Sequence, residues 1–216
     1  MDGSQVLIFD IILAIVWLYF FLRLKETRQE MLVIGLVALL FSPLFVFLGR
    51  QTTAGIVDLT DFAFSFFFAG IAAVVFESVF GKHYRIGHHA RLPLKRPGEQ
   101  WFLQLMLATI LWAWLSILLL FVLKTDALQS IIAAGLVMAS YLLASRKDLL
   151  WNAIWSALLM AVVFFLVYAL SFFYALPTAS QSFLITVPFD ALIWAMTLGF
   201  VLGPMYEYAR GLKLRR

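Results

Sequence analysis

The sequence predicts an all-α, polytopic membrane protein with seven transmembrane helices. Of its 216 residues, 64% are hydrophobic and only 13% are charged. A soluble domain has about 45–50% apolar and about 25% charged residues. A globule of this length cannot bury so much apolar surface, which excludes the water-soluble class. The apolar runs are continuous and lack the alternation of a barrel strand, so they favour helices, whose backbone groups pair internally in lipid.

Seven apolar runs are close to the length that a helix needs to cross a membrane. About 20 mostly apolar residues span the roughly 30 Å of hydrocarbon. The predicted spans are residues 6–22, 31–48, 54–80, 101–123, 127–145, 149–175 and 183–206. The first run is not expected to be a cleaved signal peptide, because no basic residue precedes it and no small-residue cleavage site follows it. The predicted location is a cell membrane, as a multi-pass protein.

The basic residues predict the orientation of these spans. Fourteen of the 16 Lys and Arg residues fall after the first, third or fifth span or in the C-terminal tail, whereas Arg50 and Lys124 fall on the other side. The positive-inside rule therefore places the N-terminus outside and the C-terminus in the cytoplasm. The net charge of +4 needs no nucleic-acid partner, because basic loops beside an anionic leaflet account for it. The predicted partner is the lipid bilayer, and a homo-oligomer is left open.

Spans three and seven resemble each other, which predicts an internal repeat. The matched pairs are Asp61 with Asp190, Gly70 with Gly199, and Glu77 with Glu207. Both spans run in the same direction, so we expect two parallel three-helix halves joined by a linker helix, a 3+1+3 arrangement. The predicted units are residues 1–100 with the first half and a basic loop, 101–126 with the linker helix, and 127–216 with the second half and a basic tail.

Acidic residues inside apolar spans mark candidate functional sites, because a carboxylate in hydrocarbon costs about 2.5–3.5 kcal/mol on insertion scales. Asp61 and Asp190 are the catalytic candidates, each about seven residues into its predicted span and thus roughly 10 Å deep. Pro188 is expected to bend the seventh helix beside Asp190. Asp10 and Asp58 are interpreted as carboxylates near the headgroups. A carboxylate near the headgroups, paired with a basic residue on the outer side, is also the alternative interpretation of Asp61 and Asp190.

Glu77 and Glu207 are secondary acidic candidates at the cytoplasmic ends of spans three and seven. Each lies sixteen or seventeen residues after the aspartate of its own span, which is about 25 Å along a helix. An Asp–Glu catalytic pair within one helix is therefore excluded. We expect each glutamate to pair with a cytoplasmic Lys or Arg.

Phenylalanine is the dominant aromatic residue, with 22 copies. Most of these rings are expected to face lipid or neighbouring helices. The alternative is an aromatic-lined pocket for a long apolar ligand, with Phe64, Phe68 and Trp194 as substrate-binding candidates. Because aromatic faces attract cations, such a pocket also suits a carbocation.

No metal or cofactor site is predicted. The chain has no cysteine, which excludes thiolate ligands and cysteine nucleophiles, and it has no nucleotide-binding glycine pattern. The histidines are His83, His88 and His89. They fall in the long third connection, where we expect a flexible basic loop rather than a metal site. The glycines of spans three and seven are expected to allow close helix packing.

The third and seventh spans resemble the lycopene cyclase domain family, a flavin-free membrane type built from two three-helix repeats. That family carries a Pro-x-Glu-Glu-like motif that opens an apolar span, and an aromatic-Glu pair closes the span. The segment from Pro188 to Glu207 is similar to this pattern, and the segment from Leu59 to Glu77 resembles a degenerate copy. Asp190 and Ala191 replace the two motif glutamates, and the first copy lacks the proline.

The resemblance implies a non-redox, isomerase-type reaction on a linear polyene without a consumed cofactor. A carboxylic acid protonates a terminal double bond, the cation closes to a six-membered ring, and a carboxylate removes a proton. Asp61 and Asp190 would be acid and base, in an unassigned order. The alternative is a relative without catalysis that binds or transports a lipophilic or small molecule, and the replacement of the second glutamate by Ala191 favours this reading.

Overall fold

The computed structural model of the protein describes residues 3–49, 59–81, 84–86, 97–175 and 188–214. Within these residues the chain is helical, apart from two short strands that pair antiparallel. The helices are α1 (Gly3–Arg23), α2 (Arg28–Gly49), α3 (Leu59–Phe80), α4 (Pro97–Leu123), α5 (Ala127–Ser145), α6 (Leu150–Ala175) and α7 (Phe189–Arg210). The strands are β1 (Tyr84–Ile86) and β2 (Leu212–Leu214), and a single 3-10 turn, Lys147–Leu149, precedes α6. The predicted helical class is confirmed.

Six helices, α1 and α3 to α7, contain stretches long and apolar enough to cross a membrane. Their outer faces carry large apolar side chains, and Trp114 and Phe121 are 66% and 64% exposed. Such faces suit lipid contact, so the helices fit a protein embedded in a bilayer. The remaining helix, α2, begins with Arg28 and Glu30 and contains Pro43. It is not among these six.

Arginine residues gather where several helix ends meet, and this end of the bundle is called the basic end below. Arg23 ends α1, Arg28 begins α2 and Arg210 ends α7. Strand β1 follows α3 and pairs with β2, which follows α7. Arg146, between α5 and α6, donates a hydrogen bond to the backbone carbonyl of Leu212 in β2. Helices α1, α3, α5 and α7 therefore all end at the basic end, and consecutive helices alternate in direction.

Helices α3 and α7 pack against each other in the interior of the bundle. Every residue from Phe68 to Glu77 of α3 is buried, and so is every residue from Val201 to Glu207 of α7. A helix that is apolar and buried on all sides has neighbours all round it. Helices α1, α2 and α6 also contact α3, and α4, α5 and α6 also contact α7. The two spans with matched acidic residues are thus the innermost ones.

Glycine lets α6 and α7 approach each other closely, as the sequence predicted. Gly199 and Gly203 are one turn apart and both face Ser156 of α6. A Cβ atom at Gly199 would overlap the backbone carbonyl of Ser156, and one at Gly203 would overlap the Ser156 side chain. This spacing of small residues is the pattern that lets membrane helices bring their backbones together.

The beginning of α7 differs from the prediction. Pro188 has φ −63° and ψ 123°, an extended conformation, and directly precedes the helix that starts at Phe189. Proline suits that place because the missing N–H has no helical acceptor there. The expectation that Pro188 bends the interior of a longer helix is therefore wrong, as is the expected depth of Asp190. Asp190 lies in the first turn of α7 and is exposed. Residues 183–187 lie outside the described residues.

Candidate functional site: an aromatic cavity and two groups of buried carboxyls

A cavity of about 390 Å³ lies among α2, α3, α4, α5 and α7. Ligand sites in proteins are mostly apolar clefts of about 300–1,000 Å³ with a few polar groups. Of the described residues that line this one, Asp61 is the only ionisable residue. The hydroxyls of Ser65 and Thr109 also line it, but they donate to the backbone carbonyls of Asp61 and Leu105, at 2.8 and 3.0 Å. The cavity is therefore an apolar space with one carboxyl group.

Three aromatic side chains form one wall of this cavity. The ring centroids of Phe64 and Phe68 are 5.2 Å apart, those of Phe68 and Trp194 are 5.2 Å apart, and those of Phe64 and Trp194 are 5.8 Å apart. The three rings are nearly parallel, with interplanar angles of 19–25°. We call this group the aromatic stack. The structure thus brings together the three side chains that the sequence singled out for an apolar ligand.

The lining of the cavity extends along the bundle axis. It runs from Asp61 to Ala69 on α3 and from Trp194 to Met205 on α7. At 1.5 Å per residue these stretches are about 12 Å and about 16 Å long. Asp61 lies at the end farthest from the basic end.

The two predicted catalytic aspartates occupy different surroundings. Asp61 is half-buried in the first turn of α3, and its backbone carbonyl accepts hydrogen bonds from the hydroxyls of Ser42 and Ser65 at 3.3 and 2.8 Å. Asp190 is exposed at the start of α7 and is not one of the residues that line the cavity. Asp61 therefore shares the cavity with the aromatic stack, and Asp190 does not.

Asp10 is a further carboxyl near this end of the cavity, and its surroundings differ from the prediction. It lies seven residues into α1 and is only 8% exposed, whereas the sequence indicated a headgroup carboxylate. The neighbouring Phe9 packs against Phe64 of α3 and Phe164 of α6, with centroids 5.9 and 5.7 Å apart. Asp10 is therefore buried where α1 packs against α3 and α6. Asp58 lies outside the described residues.

Three glutamates meet close to the basic end, and we call them the glutamate cluster. One carboxylate oxygen from each of Glu30, Glu77 and Glu207 lies within 4.8 Å of the others. The side chains are 1%, 2% and 0% exposed. The secondary candidates Glu77 and Glu207 are therefore brought together, near the ends of α3 and α7 where the sequence placed them. Carboxylates this close in a dry interior repel one another, so either some of them take up protons or a cation balances their charge. Carboxylate oxygens are ligands that suit hard divalent cations.

Glu30 is the cluster member that the sequence reading missed. The predicted second span starts at residue 31, which places Glu30 in the preceding basic connection. In the structure α2 starts at Arg28 and Glu30 lies in its first turn. The available signal was its position directly before a long apolar run, where an acidic residue at a helix start is usual. That signal does not indicate burial, because the helices that cover Glu30 come from distant parts of the chain. His83, His88 and His89 lie outside the described residues.

The aromatic residues at the basic end surround the last turn of α7. Arg210 donates a hydrogen bond to the Tyr206 hydroxyl at 2.8 Å, and its guanidinium lies 5.7 Å from the centre of the Trp101 ring. The rings of Trp101 and Tyr206 meet edge to face with centroids 5.8 Å apart. Cation–π contacts of this kind hold the end of α7 beside α4. They fix the helix that carries Glu207.

The chain matches no protein-family model, and comparison with curated proteins and with solved structures finds no significant similarity. The geometry and the residue types of the site itself therefore carry the functional conclusion.

Proposed function

We propose that this protein is a lycopene cyclase-like membrane protein that takes the end of a long apolar isoprenoid, such as a carotenoid, into the cavity and closes a ring there. The observation that carries the proposal is the position of Asp61 and the aromatic stack on the wall of one otherwise apolar cavity. The family resemblance of spans three and seven supports the same reaction class.

Ring closure requires a proton donor and a surface that stabilises a cation, and the residues that line this cavity include candidates for both. A carboxylic acid next to an apolar ligand can protonate a terminal double bond, and Asp61 is the acidic group on the wall. The resulting cation needs stabilisation without a nucleophile that would trap it, and the faces of Phe64, Phe68 and Trp194 provide this. The reaction conserves the mass of the polyene and needs no redox partner.

The length of the cavity fits the end of a polyene rather than the whole molecule. A stretch of about 12–16 Å accommodates the terminal isoprene units that form the ring, and the rest of the chain would extend into the bilayer. The family resemblance implies Asp190 as the second carboxyl of the reaction. Because Asp190 is exposed in the first turn of α7, its role as the second carboxyl needs a separate test by mutation.

The membrane arrangement that accompanies this proposal has seven spans: the six apolar helices named above and, in addition, α2. The N-terminus lies outside, and the basic end faces the cytoplasm of the cell membrane, because the arginines there match the positive-inside pattern. Two three-helix halves, α1–α3 and α5–α7, are joined by α4. The interior position of both α3 and α7, which carry the matched acidic residues, supports such a repeat.

A non-enzymatic role is the second candidate, and one observation favours it. Only one carboxyl lines the cavity among the described residues, whereas the reaction of the family needs an acid and a base. A protein that binds or transports a lipophilic molecule needs the apolar cavity and no second carboxyl. The two functions are separated by whether the bound polyene changes.

The test is pigment analysis in cells that accumulate lycopene. The wild-type chain, Asp61→Asn and the control Asp126→Asn are expressed, and extracted carotenoids are separated by chromatography with absorbance and mass detection. Asp126 is an exposed residue before α5 that makes no side-chain capping bond. The proposal expects a product of unchanged mass and shifted spectrum from wild type and Asp126→Asn, and none from Asp61→Asn. Unchanged lycopene with wild-type protein present in the membrane contradicts it and favours the binding role.

A further inference from the structure

The glutamate cluster is a group of buried carboxyls that the reaction described above leaves without a role. Glu30, Glu77 and Glu207 come from α2, α3 and α7, and each presents one carboxylate oxygen within 4.8 Å of the other two. No more than 2% of any of the three side chains is exposed. A buried carboxylate is costly unless a proton or a positive charge compensates it. The cluster therefore concentrates acidic groups at one point in the interior of the bundle.

Glu207 is the member of the cluster that points most clearly to a bound ion. It is 0% exposed, and neither of its carboxylate oxygens has a hydrogen-bond partner among the described residues. The basic residue of the same helix is Arg210, but its guanidinium donates to the Tyr206 hydroxyl at 2.8 Å and lies 5.7 Å from the centre of the Trp101 ring. Glu207 is thus a fully buried acceptor that extends towards two other carboxylates, an arrangement that suits a cation between them.

Two helix ends add negative potential at the cluster. Glu77 and Glu207 lie in the last turns of α3 and α7, and their backbone carbonyls accept hydrogen bonds from the N–H groups of Gly81 and Gly211, which follow the helices. The C-terminal turn of a helix carries a partial negative charge, which disfavours carboxylates and favours cations. Glu30, by contrast, lies in the first turn of α2, where a carboxylate is favourable. Two of the three glutamates therefore lie where the helix itself favours a positive charge.

The spacing of the oxygens suits coordination of a single ion. Two oxygens bound to one Ca²⁺ are at most about 5 Å apart, because each bond is about 2.3–2.6 Å long. The cluster oxygens lie within 4.8 Å of one another. Carboxylates bind through one or both oxygens, so three of them supply much of the roughly 6–8 oxygen ligands that this ion takes. Protons neutralise carboxyls at any position, whereas the convergence of three carboxylates from three helices is an arrangement that a cation requires.

We propose that Glu30, Glu77 and Glu207 form a binding site for one hard divalent cation, of the Ca²⁺, Mg²⁺ or Mn²⁺ type, close to the basic end. The cluster offers carboxylate oxygens, and such ligands select hard cations rather than the softer Zn²⁺ or Cu²⁺. The sequence predicts no metal site, because it does not show that Glu30 is buried beside the other two glutamates. The site lies apart from Asp61 and does not depend on ring closure.

The bound cation acts as a cross-link between helices. It joins α2, α3 and α7, and residues of all three helices line the cavity. The aromatic stack also bridges α3 and α7, through Phe64, Phe68 and Trp194. A ligand that binds only the folded protein stabilises it by mass action. The cation should therefore stabilise the bundle that encloses the cavity.

Cation binding is measured directly, with Mn²⁺ as the probe. The purified full chain, without an affinity tag and in phosphatidylcholine nanodiscs, is treated with a chelator, dialysed and titrated with MnCl₂. Electron paramagnetic resonance counts the free Mn²⁺, empty nanodiscs give the background of the lipid, and elemental analysis before chelation detects a cation that the protein retains through purification. We expect about one divalent cation per chain. No cation above background, both in the protein as purified and after loading, overturns the proposal.

Matched substitutions then locate the ion. Glu77→Gln and Glu207→Gln each remove one ligand charge and should weaken Mn²⁺ binding at least about tenfold, since loss of even an outer partner of a metal ligand costs roughly 10–100-fold. Glu26→Gln makes the same change at an exposed residue before α2 and should bind as wild type does. Wild-type affinity in both cluster variants overturns the proposal.

A spectroscopic test covers the case in which the glutamine variants do not fold. Wild-type chain labelled with ¹³C at its glutamate carboxyls is loaded with Mn²⁺, and electron–nuclear double resonance is recorded. Glutamate ligands should give ¹³C hyperfine couplings to the bound ion. A spectrum without these couplings overturns the proposal.

Thermal unfolding tests the cross-link. With free Mn²⁺ at about 100 times its Kd, the unfolding temperature of wild type and Glu26→Gln should rise by about 5–10 °C above that of the chelated protein, and that of Glu207→Gln should rise much less. No rise in wild type, or an equal rise in Glu207→Gln, overturns the proposal. Pigment analysis is a separate readout: a bound cation without ring formation leaves this site standing and removes the cyclase proposal, and ring formation without a bound cation does the reverse.

Discussion

The two ends of α3 carry acidic residues in contrasting surroundings. Asp61 lies in the first turn beside a cavity of about 390 Å³, and Glu77 lies near the other end, within the glutamate cluster. Asp61 is half-buried and lines the cavity together with the aromatic stack, whereas Glu77 is 2% exposed and lies close to two other carboxyl groups. Under the proposed function, burial alone does not identify the catalytic acid, because a substrate also needs room next to the acid. The cavity provides that room beside Asp61.

The largest effect should come from removing the cavity acid. Asp61→Asn keeps the size of the side chain and removes the transferable proton, so ring formation should fall by about 10²–10⁴-fold, the usual contribution of a general acid. Glu77→Gln makes the same chemical change at the other end of α3 and should keep the rate within a few fold of wild type. The measurement is product formed per amount of membrane protein. Equal losses in the two variants would remove the distinction between the two ends.

The features predicted from the sequence are those that local patterns encode. Long apolar runs identified the helices, and the aromatic residues of spans three and seven indicated, as one alternative, an aromatic-lined pocket with Phe64, Phe68 and Trp194. The burial of Asp10 and Glu30 was not predictable, because it depends on helices that are distant in sequence. Asp10 is covered through the contact of Phe9 with α3 and α6.

The predicted depth of Asp190 is wrong for a different reason. A hydropathy pattern does not distinguish a proline inside a helix from one that precedes it. The extended backbone of Pro188 decides between the two and places Asp190 in the first turn.

The second largest effect should be a loss of stability when the close contact between α6 and α7, in the middle of the bundle, is disturbed. Gly199→Ala places a methyl group against the backbone carbonyl of Ser156, which cannot move without shifting α6. We expect a loss of about 1–3 kcal/mol. Gly203→Ala meets Cβ and Oγ of Ser156. Because Cβ does not move when the side chain rotates, this variant should lose a similar amount of stability. Thermal unfolding in detergent measures both losses, and an unfolding temperature unchanged from wild type in either variant would contradict this packing.

A smaller effect should follow from loss of the aromatic stack. Trp194→Leu keeps an apolar wall and removes a ring face, so the loss of cation stabilisation should slow ring formation by about 5–30-fold, equivalent to about 1–2 kcal/mol. Trp114→Leu is the matched control, because Trp114 is 66% exposed on the outer face of α4. Kinetic assays of both variants in nanodiscs test this. Equal rates in Trp194→Leu and wild type would show that the stack only packs.

The smallest effect should come from neutralising one member of the glutamate cluster. Glu207→Gln keeps the shape of a fully buried side chain and removes one ionisable group from a crowded site. We expect its stability to stay within about 1 kcal/mol of wild type, since a neutral amide avoids the cost of a buried charge. Thermal unfolding near neutral pH in the presence of a chelator is the measurement. A loss of several kcal/mol would mean that the cluster depends on the Glu207 charge even without a bound cation.

The measurement that tests the central claim most directly is isotope incorporation from D₂O. Wild-type protein in nanodiscs is equilibrated in D₂O and given lycopene, and the product is analysed by mass spectrometry. Protonation from a carboxyl that exchanges with solvent predicts a cyclised product one mass unit heavier per ring than the product formed in H₂O, and no such product from Asp61→Asn. A ring that forms without deuterium, or that forms equally in Asp61→Asn, would contradict the account.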